Sequence, residues 1–258
     1  MRDLKIALLQ FNQIWENKQA NFAEIKKVLS DKKKFDLLLL PEMFHTGFSM
    51  NHQEMAEEMH NSEGIEFLKE ISKTYKAAIY TSLIIKSKEG VYNRGVFIRE
   101  NQLEIYDKRK CFGLGGEADA YQAGTKAMIS TLLGWRLNLQ ICYDLRFPEL
   151  IRNEIEHGGA PKYDALLYVA NWPKKRIHHW VKLLQARAIE NQCYVIACNR
   201  IGADNNNLEY NGKSLIIDAN GDILSQESND CMGELIQGTL SFNSLKKLRA
   251  ELPFLEDR

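Results

Sequence analysis

Asp36-Leu37-Leu38-Leu39-Leu40-Pro41-Glu42 sets four consecutive leucines in front of a proline and an acid. Side chains alternate between the two faces of a strand, so an unbroken apolar run specifies a strand covered on both sides. The proline closes the run and leaves Glu42 at its edge. Similar strand patterns recur at Leu4 to Gln10, Ala78 to Ile85, Tyr92 to Arg99, Gln102 to Tyr106, Arg136 to Ile141, Ala165 to Val169 and Tyr194 to Asn199. Asn17 to Lys34, Glu63 to Tyr75, Pro148 to His157 and Arg176 to Asn191 read as helices. In the last, positions 177, 180, 183, 184 and 188 share one apolar face. Glu100-Asn101 marks a tight turn, and Ala219-Asn220-Gly221 a hairpin joining Gly212 to Asp218 with Asp222 to Ser225. Lys32, Lys33 and Lys34 fit a solvated helix C-terminus. No linker or repeat interrupts the pattern. Residues 1–258 are therefore expected to form one α/β domain, with helices covering a large mixed sheet.

Composition narrows the function. Lys plus Arg and Asp plus Glu each number 34, for a formal net charge of zero, which argues against a nucleic-acid partner. No apolar run reaches the ~18–20 residues of a membrane span. The five cysteines, at 111, 142, 193, 198 and 231, form an odd set without a CxxC pair, so neither a disulfide framework nor a zinc site is expected. Met1-Arg2-Asp3 leads straight into a strand pattern. The cytoplasm is the compartment this fits, and no cofactor is expected.

Three strand ends carry groups able to do chemistry. A carboxylate at the position of Glu42 is partly desolvated and suits a general base, although an ordinary loop carboxylate is the weightier reading from that segment alone. Gln140-Ile141-Cys142-Tyr143-Asp144 places a thiol where a strand turns towards a helix, so that outward N–H groups favour a thiolate and can hold an oxyanion. A free cysteine is more often a small buried hydrophobe, the reading taken for the other four. Lys108, after the strand ending at Tyr106, supplies a cation. The histidines, at 45, 52, 60, 157, 178 and 179, lie in no such pattern, and the adjacent 178 and 179 lack the spacing of a helical metal pair, so metal catalysis is not expected. Gly113-Leu114-Gly115-Gly116 lacks phosphate-cradling spacing and reads as a flexible turn.

Taken in order, LLLLPEMF, YDKRKCF, LQICYDLRFPEL, Ala170-Asn171-Trp172-Pro173, QARAIENQCYVIACNRIG and NGKSLIIDANGDIL resemble the nitrilase superfamily of carbon–nitrogen hydrolases nearly end to end. The resemblance implies a four-layer α-β-β-α sandwich that pairs as a homodimer through its outer helices. It implies Glu42 as base, Lys108 as cation, Cys142 as nucleophile and the Tyr143 N–H as an oxyanion donor. Glu117, at the usual offset before Gly124, matches a second glutamate that orients substrate or lysine. Relatives commonly read Lys-x-His-Leu-Phe where this chain places Lys110 in the histidine position. The run Pro41 to Met50 and the CYDLRFPE context look like the bacterial ω-amidase-type branch, which implies 2-oxoglutaramate or 2-oxosuccinamate as the amide substrate. Arg146 is a candidate for the substrate carboxylate, with a structural salt bridge the favoured alternative. Phe44, Phe48, Asn171 and Trp172 could shape the pocket or equally belong to the core. The alternatives are a nitrilase, an N-carbamoyl amide hydrolase or a catalytically silent small-molecule-binding protein. The intact Glu42, Lys108 and Cys142 argue against the last. An activated Cys142 is expected to alkylate faster than the other cysteines near neutral pH.

Overall fold

In the computed structural model, which describes residues 1–31, 34–225 and 233–258, the strand Leu4–Gln10 (β1) is apolar on both faces and buried on both. Lys32, Lys33 and Cys231 lie outside the described residues. After β1 come α1 (Lys18–Val28), β2 (Leu37–Leu39), α2 (His52–Met55), β3 (Glu57–Glu58), α3 (Glu63–Tyr75), β4 (Ala78–Lys86), β5 (Val91–Arg99) and β6 (Gln102–Asp107). The next elements are α4 (Glu117–Ala120), β7 (Ile129–Leu132), β8 (Trp135–Ile141), β9 (Ala165–Ala170), α5 (Ile177–Asn191) and β10 (Tyr194–Asn199). The chain ends through β11 (Ile201–Ala203), β12 (Glu209–Asn211), β13 (Leu215–Ile217), β14 (Glu234–Leu240) and α6 (Phe242–Glu251).

The strands make two sheets rather than the one large sheet read from periodicity. One runs β14-β1-β2-β4-β5-β6 with β3 beside β4, the other β13-β10-β9-β8-β7, and β11 and β12 form a separate ribbon. Alternation along β1 shows why both faces are apolar. Leu4, Ile6 and Leu8 pack with Leu137, Leu139 and Ile141 of the opposite sheet. Ala7 and Leu9 face outward onto Phe22 and Ile25 of α1 and Leu68 and Ile71 of α3. On the far side of the second sheet lie Trp180, Leu184 and Ala188 of α5 and Leu245 of α6. The order of layers is therefore helix, sheet, sheet, helix.

Local chemistry sets the helix ends. Asn17 caps α1 by accepting from the Ala20 N–H, and Ser62 caps α3 by accepting from the Ile65 N–H. Pro148 to His157 is not a helix. Only Pro148–Leu150 makes a 3-10 turn, because Asn153 is drawn away to the end of α5. Its Nδ2 donates to Asn191 O at 2.9 Å and its N–H donates to Asn191 Oδ1 at 3.0 Å, tertiary bonds that outcompete local helix formation.

The parallel core strands β2, β8, β9 and β10 and the strand β6 bring their carboxyl ends together, the usual position of a ligand crevice in such sheets. Gly124 clamps the end of β6. Its N–H donates to Lys108 O at 2.8 Å, and a Cβ there would stand 2.2 Å from Asp107 O. Gly124→Ala must push this backbone aside. It is expected to cost about 1–3 kcal/mol of stability, measured as a lower melting temperature, with a drop in activity because Lys108 moves with it.

Candidate active site

Glu42 follows β2 on a turn in which Met43 takes a left-handed backbone (φ 46°). Four partners hold that turn. The Met43 N–H donates to Ser82 Oγ at 2.9 Å, Thr81 Oγ1 to Pro41 O at 2.7 Å, Gln13 Nε2 to Glu42 O at 3.0 Å, and Asn171 Nδ2 to Glu42 O at 2.6 Å. A carboxylate at the end of a covered strand is thereby fixed in a fully buried position.

Lys108, 1% exposed, reaches into the same space. Its Nζ donates to Glu42 Oε1 at 2.8 Å and to both oxygens of Glu117 at 2.8 Å. Burial alone would lower the lysine pKa, but Glu117 and Glu42 more than reverse this and hold it well above the ordinary value. Glu117 opens α4 directly after Gly116 (φ 75°), and Glu117 Oε2 accepts from the Phe112 N–H at 2.6 Å. The glycine stretch 113–116 is thus a short ordered turn that sets Glu117, not a flexible connection.

Cys142 ends β8 and begins a 3-10 turn, Cys142–Arg146, with its own backbone left-handed (φ 44°). Such a conformation costs a non-glycine residue on the order of 1–3 kcal/mol and persists only where the surroundings impose it. Asp144 imposes it here. Asp144 Oδ2 accepts from the Ile141 N–H at 3.1 Å and from Tyr106 Oη at 2.8 Å, while Oδ1 accepts from the Lys110 N–H at 2.9 Å. Burial pushes the Asp144 pKa up to about 6, against the opposing pull of Lys108. Lys110 therefore serves this loop through its main chain, and its ammonium stacks 4.7 Å from the Phe147 ring. The loss of the usual histidine leaves the bonds of Lys108 intact.

The thiol of Cys142 is pushed well above the ordinary cysteine value, first by burial and then by the Glu42 charge to which it hydrogen-bonds, with only Lys108 opposing. A resting thiolate, expected from outward N–H donors, is therefore not favoured. Burial and two carboxylates outweigh one ammonium, so the proton stays on sulfur beside Glu42.

Cys142, Tyr143, Arg146, Asn171 and Trp172 line a cavity of about 590 Å³, together with Phe48. Phe44 does not. It is buried in an aromatic cluster with Phe22, His45 and Phe67, so it is a core residue. Asn171 contributes most through Glu42, since its N–H donates to Glu42 Oε2 at 2.9 Å. Among the described residues Arg146 has no carboxylate partner. Its guanidinium lies 4.7 Å from the Trp172 ring and donates weakly to His179 Nδ1 at 3.4 Å, which replaces the expected salt bridge.

Asn93 escaped the sequence reading. Its Nδ2 donates to Glu42 Oε1 at 2.7 Å and to Glu117 Oε1 at 2.9 Å, tying the two acids together. The available signal was an asparagine inside an otherwise strand-like run, where that residue is depleted.

The carbon-nitrogen hydrolase family model matches residues 5–250. A Yersinia enterocolitica protein named omega-amidase YafV is 40% identical over 258 residues, spanning 100% of this chain and 97% of the relative. A Bacillus subtilis protein named 2-oxoglutaramate amidase is 32% identical, spanning 98% of this chain and 96% of the relative. A CN-hydrolase superfamily protein from Xanthomonas campestris, solved with an arsenic adduct in its active site, superposes with a TM-score of 0.94 at 36% identity, covering 100% of this chain and 98% of that one.

Lys108→Met leaves two buried carboxylates facing each other without their cation. The expected loss is about 3–5 kcal/mol at neutral pH. Unfolding measured against pH should show the deficit relative to wild type shrinking as acid is added, because protonating either carboxylate relieves the repulsion. A deficit that is constant with pH would contradict the charge argument.

Proposed function

The chain belongs to the carbon-nitrogen hydrolase family, and from that premise we propose that it is an ω-amidase releasing ammonia from a small dicarboxylate monoamide, 2-oxoglutaramate or 2-oxosuccinamate. The observation that carries the reading is the Lys108 ammonium 2.8 Å from both Glu42 and Glu117, beside a thiol that opens onto the cavity. Relatives bearing the names omega-amidase and 2-oxoglutaramate amidase across nearly their whole lengths support the choice of substrate.

The reaction proceeds in two halves. Glu42 accepts the Cys142 thiol proton as sulfur attacks the amide carbon. Lys108 and the Tyr143 N–H, early in the turn where its bond is free, hold the oxyanion. The C–N bond breaks as Glu42 returns the proton to the leaving ammonia, leaving a thioester on Cys142. Glu42 then takes a proton from water, whose oxygen attacks the thioester. The C–S bond breaks, the acid departs and the proton returns to sulfur. Glu117 orients Lys108 throughout. The net change is amide plus water to acid plus ammonia, with no cofactor.

The proposal extends to residues 1–258 acting as one domain in the cytoplasm, paired as a homodimer through the outer helices. The exposed Ile189 of α5, with Ile223 and Leu224 of the adjacent hairpin, offers apolar surface for that pairing.

Ammonia release from 2-oxoglutaramate, glutamine, a simple nitrile and an N-carbamoyl amino acid tests the reading, with Cys142→Ala as control. Turnover should be fast on the keto acid and absent in the control. Preference for the nitrile or the carbamoyl compound would transfer the protein to that activity. Glu42→Gln should fold normally and lose about 10²–10⁴-fold in kcat. A near wild-type rate would remove Glu42 as base.

A further inference from the structure

We infer that Arg146 and Arg176 together form the subsite for the carboxylate and 2-oxo group of the substrate, and that their paired charge excludes an α-ammonium. The inference rests on the ω-amidase reading and deepens it. Both arginines line the cavity that holds Cys142. Each guanidinium is laid on an aromatic ring, Arg146 on Trp172 at 4.7 Å and Arg176 on Phe112 at 5.3 Å. Trp172 also fixes the second arginine's main chain, because its Nε1 donates to Arg176 O at 2.8 Å. Among the described residues neither guanidinium has a carboxylate within ion-pair distance. The two acids that line the same cavity are already engaged. Glu16 accepts from Ser49 Oγ, and Asp204 accepts from Tyr210 Oη at 2.8 Å and from the N–H groups of Asn206 and Leu208 at 2.8 and 3.0 Å.

The start of α5 adds an independent observation. Arg176 stands at its N-cap without a capping side chain, follows Lys174 and Lys175, and precedes His178 and His179, with no acid in the first turn. A helix N-terminus carries partial positive charge, so cations there are unfavourable and acids are the ordinary choice. Lys174 is neutralised by Glu209 at 3.0 Å, but Arg176 is not. An arrangement of cations that is unfavourable by itself is explained by an anion that completes it.

Substrate chemistry fits these donors. A carboxylate and an adjacent carbonyl present only acceptors, and a guanidinium presents only donors in a planar fork. Glutamine carries the same terminal amide and carboxylate but replaces the 2-oxo group with an ammonium, which offers no acceptor and repels both arginines. Discrimination between keto acid and amino acid then follows from charge alone.

The test compares wild type, Arg176→Met, Arg146→Met and the exposed neighbour Lys175→Met on 2-oxoglutaramate, glutamine and uncharged butanamide. For either arginine variant, kcat/KM on the keto acid should fall at least about tenfold, mainly through KM, as for a lost charge-assisted bond. The rates on the other two amides should not fall in parallel, so the preference narrows, while Lys175→Met keeps it. Equal losses on all three amides, or an unchanged preference in Arg176→Met, would overturn the subsite. Wild type inactive on the keto acid would remove the ω-amidase reading instead. Binding of 2-oxoglutarate to Cys142→Ala separates the two failures without turnover. Adding Arg176→Met should weaken it about tenfold, and equal affinity would overturn the subsite.

Discussion

An ammonium taken out of water loses several kcal/mol of hydration, and it stays charged inside a protein only if its neighbours restore that loss. Lys108 meets this condition through Glu42 and Glu117, and much of the surrounding structure exists to keep those three groups in register. Neither acid could be buried alone either. Asn93 adds a neutral donor shared by both, the Asn171 N–H satisfies the far oxygen of Glu42, and the Phe112 N–H satisfies Glu117. The members come from β5, the end of β6, the start of α4 and the ends of β2 and β9. No piece of the chain can hold the cluster by itself, so it assembles only when both sheets have packed.

That cluster bears on the protonation of the Cys142 thiol. Burial first, and then the excess negative charge of two carboxylates over one ammonium, holds the thiol protonated. Lys108, its pKa held well above the ordinary value by Glu117 and Glu42 against the effect of burial, stays a fixed positive charge beside the thiol. The left-handed backbone at Cys142 is pinned by Asp144 to the loop that carries Lys110. Rigidity here comes from buried hydrogen bonds that join the two halves of the chain.

Features written as local periodicity were legible before the structure was known. β1, β10 and α3 lie where apolar runs and helical periodicity predict them. Glu42, Lys108, Cys142 and Glu117 were identified by their strand-end positions and by resemblance, and the fold brings them to one place. What stayed hidden depends on distant partners. The division into two sheets follows from which faces meet, and β7 and β14 are too mixed in polarity to stand out as strands. Asn93 looks like a weak strand residue until its amide is seen between two acids. Pro148 to His157 has a helical pattern that Asn191, far along the chain, overrides. The favoured reading of Arg146 is a salt bridge, whereas its guanidinium lies on the Trp172 ring and beside His179, contacts no local pattern announces.

Rapid acid quench of the protein during turnover of 2-oxoglutaramate, followed by peptide mass analysis, addresses the covalent step directly. The account predicts an acyl group, the substrate less ammonia, on the peptide containing Cys142 and on no other cysteine. It also predicts that Cys142→Ala neither carries that group nor releases ammonia. Ammonia released at an undiminished rate by Cys142→Ala, or the acyl group found on another cysteine, would contradict it.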